Sequence, residues 1–249
     1  MKFAMILILI LAVVLATPHL NYAKIVGVWL FDEASGKIVN DASGNGLEGE
    51  IVGAVKWSKG KFGTALAFDG GNVTIPHQDS MDLTQFTITA WIKVPKIVDP
   101  YQMIAGKEAW PDRNYSMWIR PGIMTFGFTT PGAAQDIQVA SKEVTDDKWH
   151  FVAAVADASK GKSSIWIDGK KEAEADFNKK SGYGTSEGVV AIGRHYDRYT
   201  KGIIDDVGLF NVALNADDIK TVMNEGLEVS LSVSPLSKLA ITWGELRKR

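Results

Sequence analysis

Three groupings of side chains in this chain have the types and spacing to do chemistry. In Gly202-Ile203-Ile204-Asp205-Asp206-Val207-Gly208-Leu209-Phe210, two adjacent carboxylates interrupt an apolar run at strand spacing. With Val207 and Leu209 facing a core, a period of two puts Asp205 on the inward side and Asp206 on the outward one. An unpaired charge in a core is prohibitive, so Asp205 requires a cation, an arginine or several backbone N–H groups. In the second grouping, Asp41, Ser43 and Asn45 place oxygens at alternate positions and Gly46 permits a sharp turn, as in the first half of a calcium-binding loop. Its second half is missing, because Val52 stands where a bidentate Glu is expected. Any calcium here needs ligands from elsewhere; the competing reading is that Asp41 and Asn45 bond only within their own turn. The third grouping is a pair of segments that mix rings with hydrogen-bonding groups: Trp110, Asp112, Arg113, Asn114 and Tyr115, and then Arg194 to Tyr199. Flat rings stack on pyranose faces, and Asp, Asn and Arg make paired hydrogen bonds to vicinal hydroxyls. The ligand set expected on this basis is Trp110, Asp112, Arg113, Asn114, His195, Tyr196 and Arg198; the alternative is polar loops with one aromatic anchored in the core.

Catalytic constellations are harder to find. There is no Gly-x-Ser-x-Gly elbow. His150 follows Trp149 inside a strand-like run and reads as a hydrogen-bonded structural histidine. Asn72-Val73-Thr74 and Asn114-Tyr115-Ser116 fit the glycosylation acceptor triplet, a pattern that also arises by chance. No catalytic residue is assigned, and the chain is expected not to be an enzyme.

The elements that must position these groups are strands. From Ile25 onwards, short apolar runs alternate with turn clusters such as Asn40 to Gly46, Ser58 to Gly63 and Asp69-Gly70-Gly71. Phe86 to Val94 alternates throughout, with Phe86, Ile88, Ala90 and Ile92 on one face and Thr87, Thr89, Trp91 and Lys93 on the other, as expected of a central strand. Asp168-Gly169 is a two-residue hairpin signal. The one helix predicted runs from an Asn215 cap to Asn224, with Gly226 as its stop. Regularly spaced strands without an internal repeat predict an all-β fold of two packed antiparallel sheets. Met1-Lys2 followed by the apolar run Phe3 to Leu15 reads as a secretory signal, with cleavage after Ala16 or Ala23 and a retained N-terminal anchor as the alternative; taken to Ala23, it gives a signal peptide over 1–23, a β domain over 24–228 and a C-terminal extension over 229–249. The run is short for a membrane span. Secretion, to the extracellular space or a periplasm, follows from that reading. Without Lys2, 26 basic residues stand against 29 acidic ones, near net −3, which argues against nucleic acid or an anionic membrane surface as partner. With no cysteine, stability in an oxidising compartment rests on the core and on any bound metal. Eight tryptophans give such a chain flat apolar faces for sugar rings.

In order along the chain, Trp29-Leu30-Phe31-Asp32-Glu33, Asp41-Ala42-Ser43-Gly44-Asn45-Gly46, Gly60 to Gly70, Phe86 to Ile92, Trp149 to Ala153 and Ile167-Asp168-Gly169 resemble the laminin-G-like, concanavalin A-like lectin/glucanase domain. The likeness spans nearly all of Ile25 to Glu225. It implies a jelly-roll β-sandwich of two antiparallel sheets, a structural calcium and an extracellular carbohydrate- or protein-binding role. Because the family's first and last strands lie close together, the resemblance also implies Asp32 and Asp205 as partners of Asp41 and Asn45 in a calcium site; backbone donors to Asp205 are the alternative. Glucanases on this fold carry Glu-x-Asp-x-x-Glu. The nearest approach here, Glu174-Ala175-Asp176-Phe177-Asn178-Lys179, ends in Lys, which removes a required carboxylate. The function expected is a secreted, non-catalytic carbohydrate-binding module acting on glycans or a glycosylated partner. An extracellular protein-interaction or adhesion module is the alternative, and a glycoside hydrolase comes third.

Overall fold

The computed structural model describes residues 25–96, 101–109, 112–120, 122–130, 133–177 and 187–232; the signal-like segment and the tail beyond Ser232 lie outside them. In chain order the strands are β1 (Ile25–Trp29), β2 (Ile38–Val39), β3 (Gly49–Lys59), β4 (Thr64–Ile75), β5 (Phe86–Lys93), β6 (Gln102–Ala109), β7 (Asp112–Ile119) and β8 (Ile123–Thr130). They continue as β9 (Ala133–Glu143), β10 (Trp149–Asp157), β11 (Lys162–Ile167), β12 (Lys170–Asp176), β13 (Val190–Ile192), β14 (Arg194–His195), β15 (Arg198–Tyr199) and β16 (Lys201–Phe210), followed by helix α1 (Ala216–Ser232).

Fourteen strands form one antiparallel hydrogen-bonded path, β12-β11-β10-β5-β16-β4-β13-β6-β7-β8-β9, with β1 on β16 and the β2–β3 pair on β4. The path folds back on itself at β4, whose Leu66 to Asp69 pair with β16 while Val73 to Ile75 pair with β13. The expected turn at Asp69-Gly70-Gly71 is instead a kink inside this one strand: Gly70 takes φ 102° and β3 is bulged opposite it, between Gly53 and Val55. Ile88, Ile92, Val152 and Ile165 from one layer meet Ile104, Met117, Phe126 and Ile192 from the other in the main core. This is the jelly-roll sandwich, with β5 at the centre of the first layer between β10 and β16.

β5 is buried on both faces, and its second face belongs to a separate apolar cluster. Trp91, Phe151, Val155 and Phe210 pack there beneath Ile219, Val222 and Leu227 of α1. Asn215 caps the helix through its Oδ1, which accepts from the N–H groups of Asp217 and Asp218 at 2.9 and 3.0 Å. Gly226 breaks the helix with φ 78° and ψ 167°, as the sequence predicts, but helical geometry resumes and reaches Ser232. The stretch from Val229 to Ser232, the start of the expected C-terminal extension, is therefore helical.

Strand β16 departs from simple alternation. Asp205 pairs with Trp91 and Gly208 with Thr89, so Asp206 and Val207 together oppose one residue of β5 in a β-bulge. Asp206 is the inserted residue, with φ 46°. Ile204, Val207 and Leu209 therefore all reach the main core, while Asp205 lies on the Trp91 side. The expectation that Asp205 shares a face with Val207 is corrected by this one extra residue. Asp206, expected to face outward, is buried as well.

Candidate functional site: the aromatic hairpin

β13 sits between β4 and β6, and Gly193 (φ 85°) ends it. A Cβ at Gly193 would lie 2.5 Å from the Phe68 ring, so only glycine lets the chain lift away from the core there. It rises into the β14–β15 hairpin, in which His195 pairs with Arg198 across the tip Tyr196-Asp197. The hairpin is tied down behind: Thr200 Oγ1 donates to the Met103 carbonyl at 2.5 Å and the Lys201 N–H to Gln102 Oε1 at 3.0 Å.

In front, the rings gather. His195 stacks near-parallel with Trp118 (6.0 Å, 17°) and with Tyr101 (6.0 Å, 29°), and meets Tyr196 edge-on at 4.5 Å. The guanidiniums of Arg198 and Arg120 lie 4.6 and 5.4 Å from the Tyr101 ring centre, inside cation–π range. Arg194 and Tyr196 line a cavity of about 60 Å³ with Met103, Gly106, Val189 and Ala191. Tyr196 is 44% exposed and holds φ 54°, a left-handed conformation that costs a non-glycine residue about 1–2 kcal/mol. Strain of that kind collects at ligand clamps.

Of the expected ligand residues, the fold brings His195, Tyr196 and Arg198 together on this face. Trp110 lies outside the described residues, and of Asp112 and Arg113 only the backbone is described. Those two sit on β7, laddered against Ala109 and Glu108, and so form a strand and not the open loop expected. Asn114 is a correction. It is fully buried, with Oδ1 accepting from the Leu83 N–H and Nδ2 donating to the Leu83 carbonyl, both at 3.2 Å, so its amide clamps a loop and does not reach solvent. Tyr101, Trp118 and Arg120 were missed. Trp118 and Arg120 stand two apart, the spacing of one strand face, but nothing in the sequence shows that β14 folds over that face.

The expected calcium ligands have other partners. Asp41 is buried and accepts four bonds: Oδ1 from the N–H groups of Val28 (3.0 Å) and Ser43 (2.9 Å), and Oδ2 from Ser43 Oγ (2.8 Å) and the Leu47 N–H (3.1 Å). Asn45 turns its Nδ2, a donor, to the carbonyls of Ile25 and Val26. Asp32, exposed, accepts the Thr64 N–H at 2.8 Å. Asp205 Oδ2 accepts from Lys61 (2.7 Å) and Phe62 (3.0 Å), and Oδ1 from the Asp206 N–H (3.0 Å). Backbone N–H groups are thus the partner Asp205 required. Among the described residues no three acidic or histidine side chains are grouped to hold a metal ion. These four side chains do not fit a shared cation: one carboxylate is saturated and the amide presents its donor.

Burial pushes the Asp205 carboxyl up to about 7, against the N–H groups of Phe62 and Lys61, and the charge on Asp206 adds to the rise. Burial likewise lifts Asp206 to about 6, against the Leu227 N–H and with Asp32 and Glu228 adding to it.

The remaining sequence candidates are structural. His150 faces Asp168 at 2.9 Å through Nδ1 and Asp146 at 3.0 Å through Nε2, and Lys142 also reaches Asp168. Glu174 and Asp176 are both paired with Lys162 on β11. Asn72 and Asn114 are buried, so neither acceptor triplet carries a glycan in this fold. A larger cleft of 350 Å³ runs between β11, β12 and the start of α1, past Trp166. Its lysines are paired at home: Lys160 with Asp157, Lys162 with Asp176 and Lys171 with Glu174.

Residues 68–220 match the family model described as the concanavalin A-like lectin/glucanases superfamily, and the chain belongs to that superfamily. No curated protein matches the chain. Among solved structures, the binding domain of Paraclostridial Mosquitocidal Protein 1 superposes with a TM-score of 0.69 at 14% identity, over 82% of this chain and 52% of that one. The binding domain of botulinum neurotoxin DC, solved with rat synaptotagmin II, gives 0.66 at 18% identity over 82% and 52%. This chain thus spans about half the length of those two domains. Domain 4 of AbnA, an extracellular arabinanase of Geobacillus stearothermophilus solved with arabinotriose, gives 0.65 at 19% identity over 80% of this chain and 98% of its own. At these identities the likeness is one of fold.

Proposed function

We propose that the chain is an exported, non-catalytic carbohydrate-binding module whose sugar lies on the hairpin face, against Tyr101, His195 and Tyr196, with the buried Trp118 backing His195. The observation that carries this reading is the near-parallel ring set with a strained, exposed tyrosine at its rim. Near-parallel rings offer apolar faces to pyranose C–H groups, and edge guanidiniums offer donors to hydroxyls. The arabinanase domain, matched over nearly its whole length and solved with a trisaccharide, supports a binding role for a unit of this size. Export rests on the N-terminal apolar run, and the absence of catalysis on Lys179 standing where glucanases carry a carboxylate.

A glycan array followed by calorimetry on the strongest hit tests the reading. Binding that falls about tenfold or more in Tyr196→Ala is the expected result. Affinity unmoved by that change, or no glycan bound at all, would sink it, and turnover of the bound glycan would overturn the non-catalytic part. A protein partner is the second reading, because an exposed tyrosine flanked by arginines is also the composition of a protein-binding hot spot.

A further inference from the structure

Eight lysines of this molecule are held in ion pairs. Lys93, Lys107, Lys142, Lys148, Lys160, Lys162, Lys171 and Lys201 each have a carboxylate within 4.0 Å. The hairpin face is different from these sites. Arg120 and Arg198 converge on its Tyr101, and neither has an ion-pair partner among the described residues. Asp197, in the hairpin tip itself, is exposed and bonds to neither neighbouring arginine. Like charges gathered without a counter-charge repel one another, and an incoming anion reverses that cost.

The geometry leaves the guanidiniums ready for such a ligand. Arg198 and Arg120 lie within cation–π range of the Tyr101 ring, and a guanidinium that spends its face on a ring keeps its in-plane N–H groups for another partner. That fork matches the two oxygens of a carboxylate or sulfate. A guanidinium accepts nothing, so a face carrying two of them favours a ligand rich in acceptors over one rich in hydroxyl donors. We propose that the ligand of the hairpin face is an anionic saccharide, carrying a carboxylate or a sulfate that Arg198 and Arg120 engage beside Tyr101. This rests on the carbohydrate reading above and narrows it to a charge class.

The test is calorimetry on matched probes: trigalacturonic acid against its methyl ester, α2,3-sialyllactose against lactose, and a heparin tetrasaccharide against its desulfated, N-acetylated form. The acidic member of at least one pair should bind about tenfold tighter or more, the scale of a charge-assisted hydrogen bond. Its advantage should shrink as NaCl rises from about 0.05 M to about 0.5 M. R120Q and R198Q, at positions that are not buried and where circular dichroism can verify the fold, should remove that advantage. K148Q, which changes net charge equally at an exposed site outside the hairpin, should not. The first two pairs report a carboxylate and the third a sulfate. Equal affinities within every pair, or an acidic preference that survives both arginine changes, would overturn the inference and leave sugar binding standing. No binding of any probe, neutral or acidic, overturns sugar binding and this inference together.

Discussion

Two regions of this sandwich surround an aromatic side chain with charge, and they use the charge in opposite ways. The cleft between β11, β12 and α1 is the larger, with Trp166 in its wall, yet its lysines and acids satisfy one another. The hairpin face encloses far less space, but the guanidiniums of Arg120 and Arg198 rest on the Tyr101 ring and have no carboxylate among the described residues. Volume ranks the cleft first, whereas unspent hydrogen-bonding capacity ranks the hairpin first. Capacity is the better guide, because a ligand gains little from groups that must first abandon partners they already have. The acids obey the same rule: Asp41 and Asp205 look functional by type but are consumed by backbone N–H groups, so they hold the fold.

The largest effect belongs to Asp41→Ala, which strands buried donors of Val28, Ser43 and Leu47. It should cost about 3–5 kcal/mol in urea unfolding while the folded fraction keeps its sugar affinity; loss of affinity at full stability would mark Asp41 as a ligand residue. Tyr196→Gly should do the reverse, lowering affinity about tenfold while stability stays within about 1 kcal/mol of wild type, because glycine relieves the positive φ. Trp166→Ala should leave affinity within about twofold, and a larger loss would move the site to the cleft.

The acids on β16 give a pH signature. Folding raises Asp205 to about 7 and Asp206 to about 6 from 3.8, so the folded chain binds more protons across that window. Their contribution is full below about pH 4 and is lost as pH rises through about 7, so stability should fall from pH 4.5 to 7.5. Asp146, held down at about 2 chiefly by its bond from Lys148, works the other way: its contribution is lost only as pH falls towards 2. Asp206→Asn removes a buried charge, keeps an acceptor for the Leu227 N–H and tolerates positive φ. It should flatten the slope and raise stability at pH 7.5 by about 1–2 kcal/mol; an unchanged slope would locate the titration elsewhere. The smallest effect is that of calcium. Neither the ion nor EDTA should shift the melting temperature by more than about 1 °C, since the expected ligands are already bonded. A clear rise with calcium would restore the metal centre.

Much of this was legible in the chain. The alternation over Phe86 to Lys93 assigned both faces of β5 correctly, since Phe86, Ile88, Ala90 and Ile92 all enter the main core. Asp168-Gly169 is the hairpin turn expected, with φ 49° and 73°. What failed was long-range or non-periodic. One inserted residue reversed the assignment of Asp205, because period-two arithmetic has no term for a bulge. Asn114 reads as a surface polar residue until the Leu83 backbone, 31 residues away, takes both ends of its amide. The site itself joins Tyr101, Trp118 and Arg120 to a hairpin some eighty residues later, a juxtaposition that local pattern does not carry.

The bulge at Asp206 has a consequence for how β16 tolerates change. Removing a residue from the middle of a central strand ordinarily exchanges the buried and outward sets for everything beyond the cut. Here the sequence on either side of Asp206 is already in phase: Ile204, Val207 and Leu209 face the main core, and Asp205 and Phe210 face the helix. Asp206 is the one position of that strand whose deletion would leave both sets where they are. What would be forfeited is its bond to the Leu227 N–H, and with it the fastening of α1 where Gly226 breaks it. The extra residue reads as a hook set into a strand that would be regular without it.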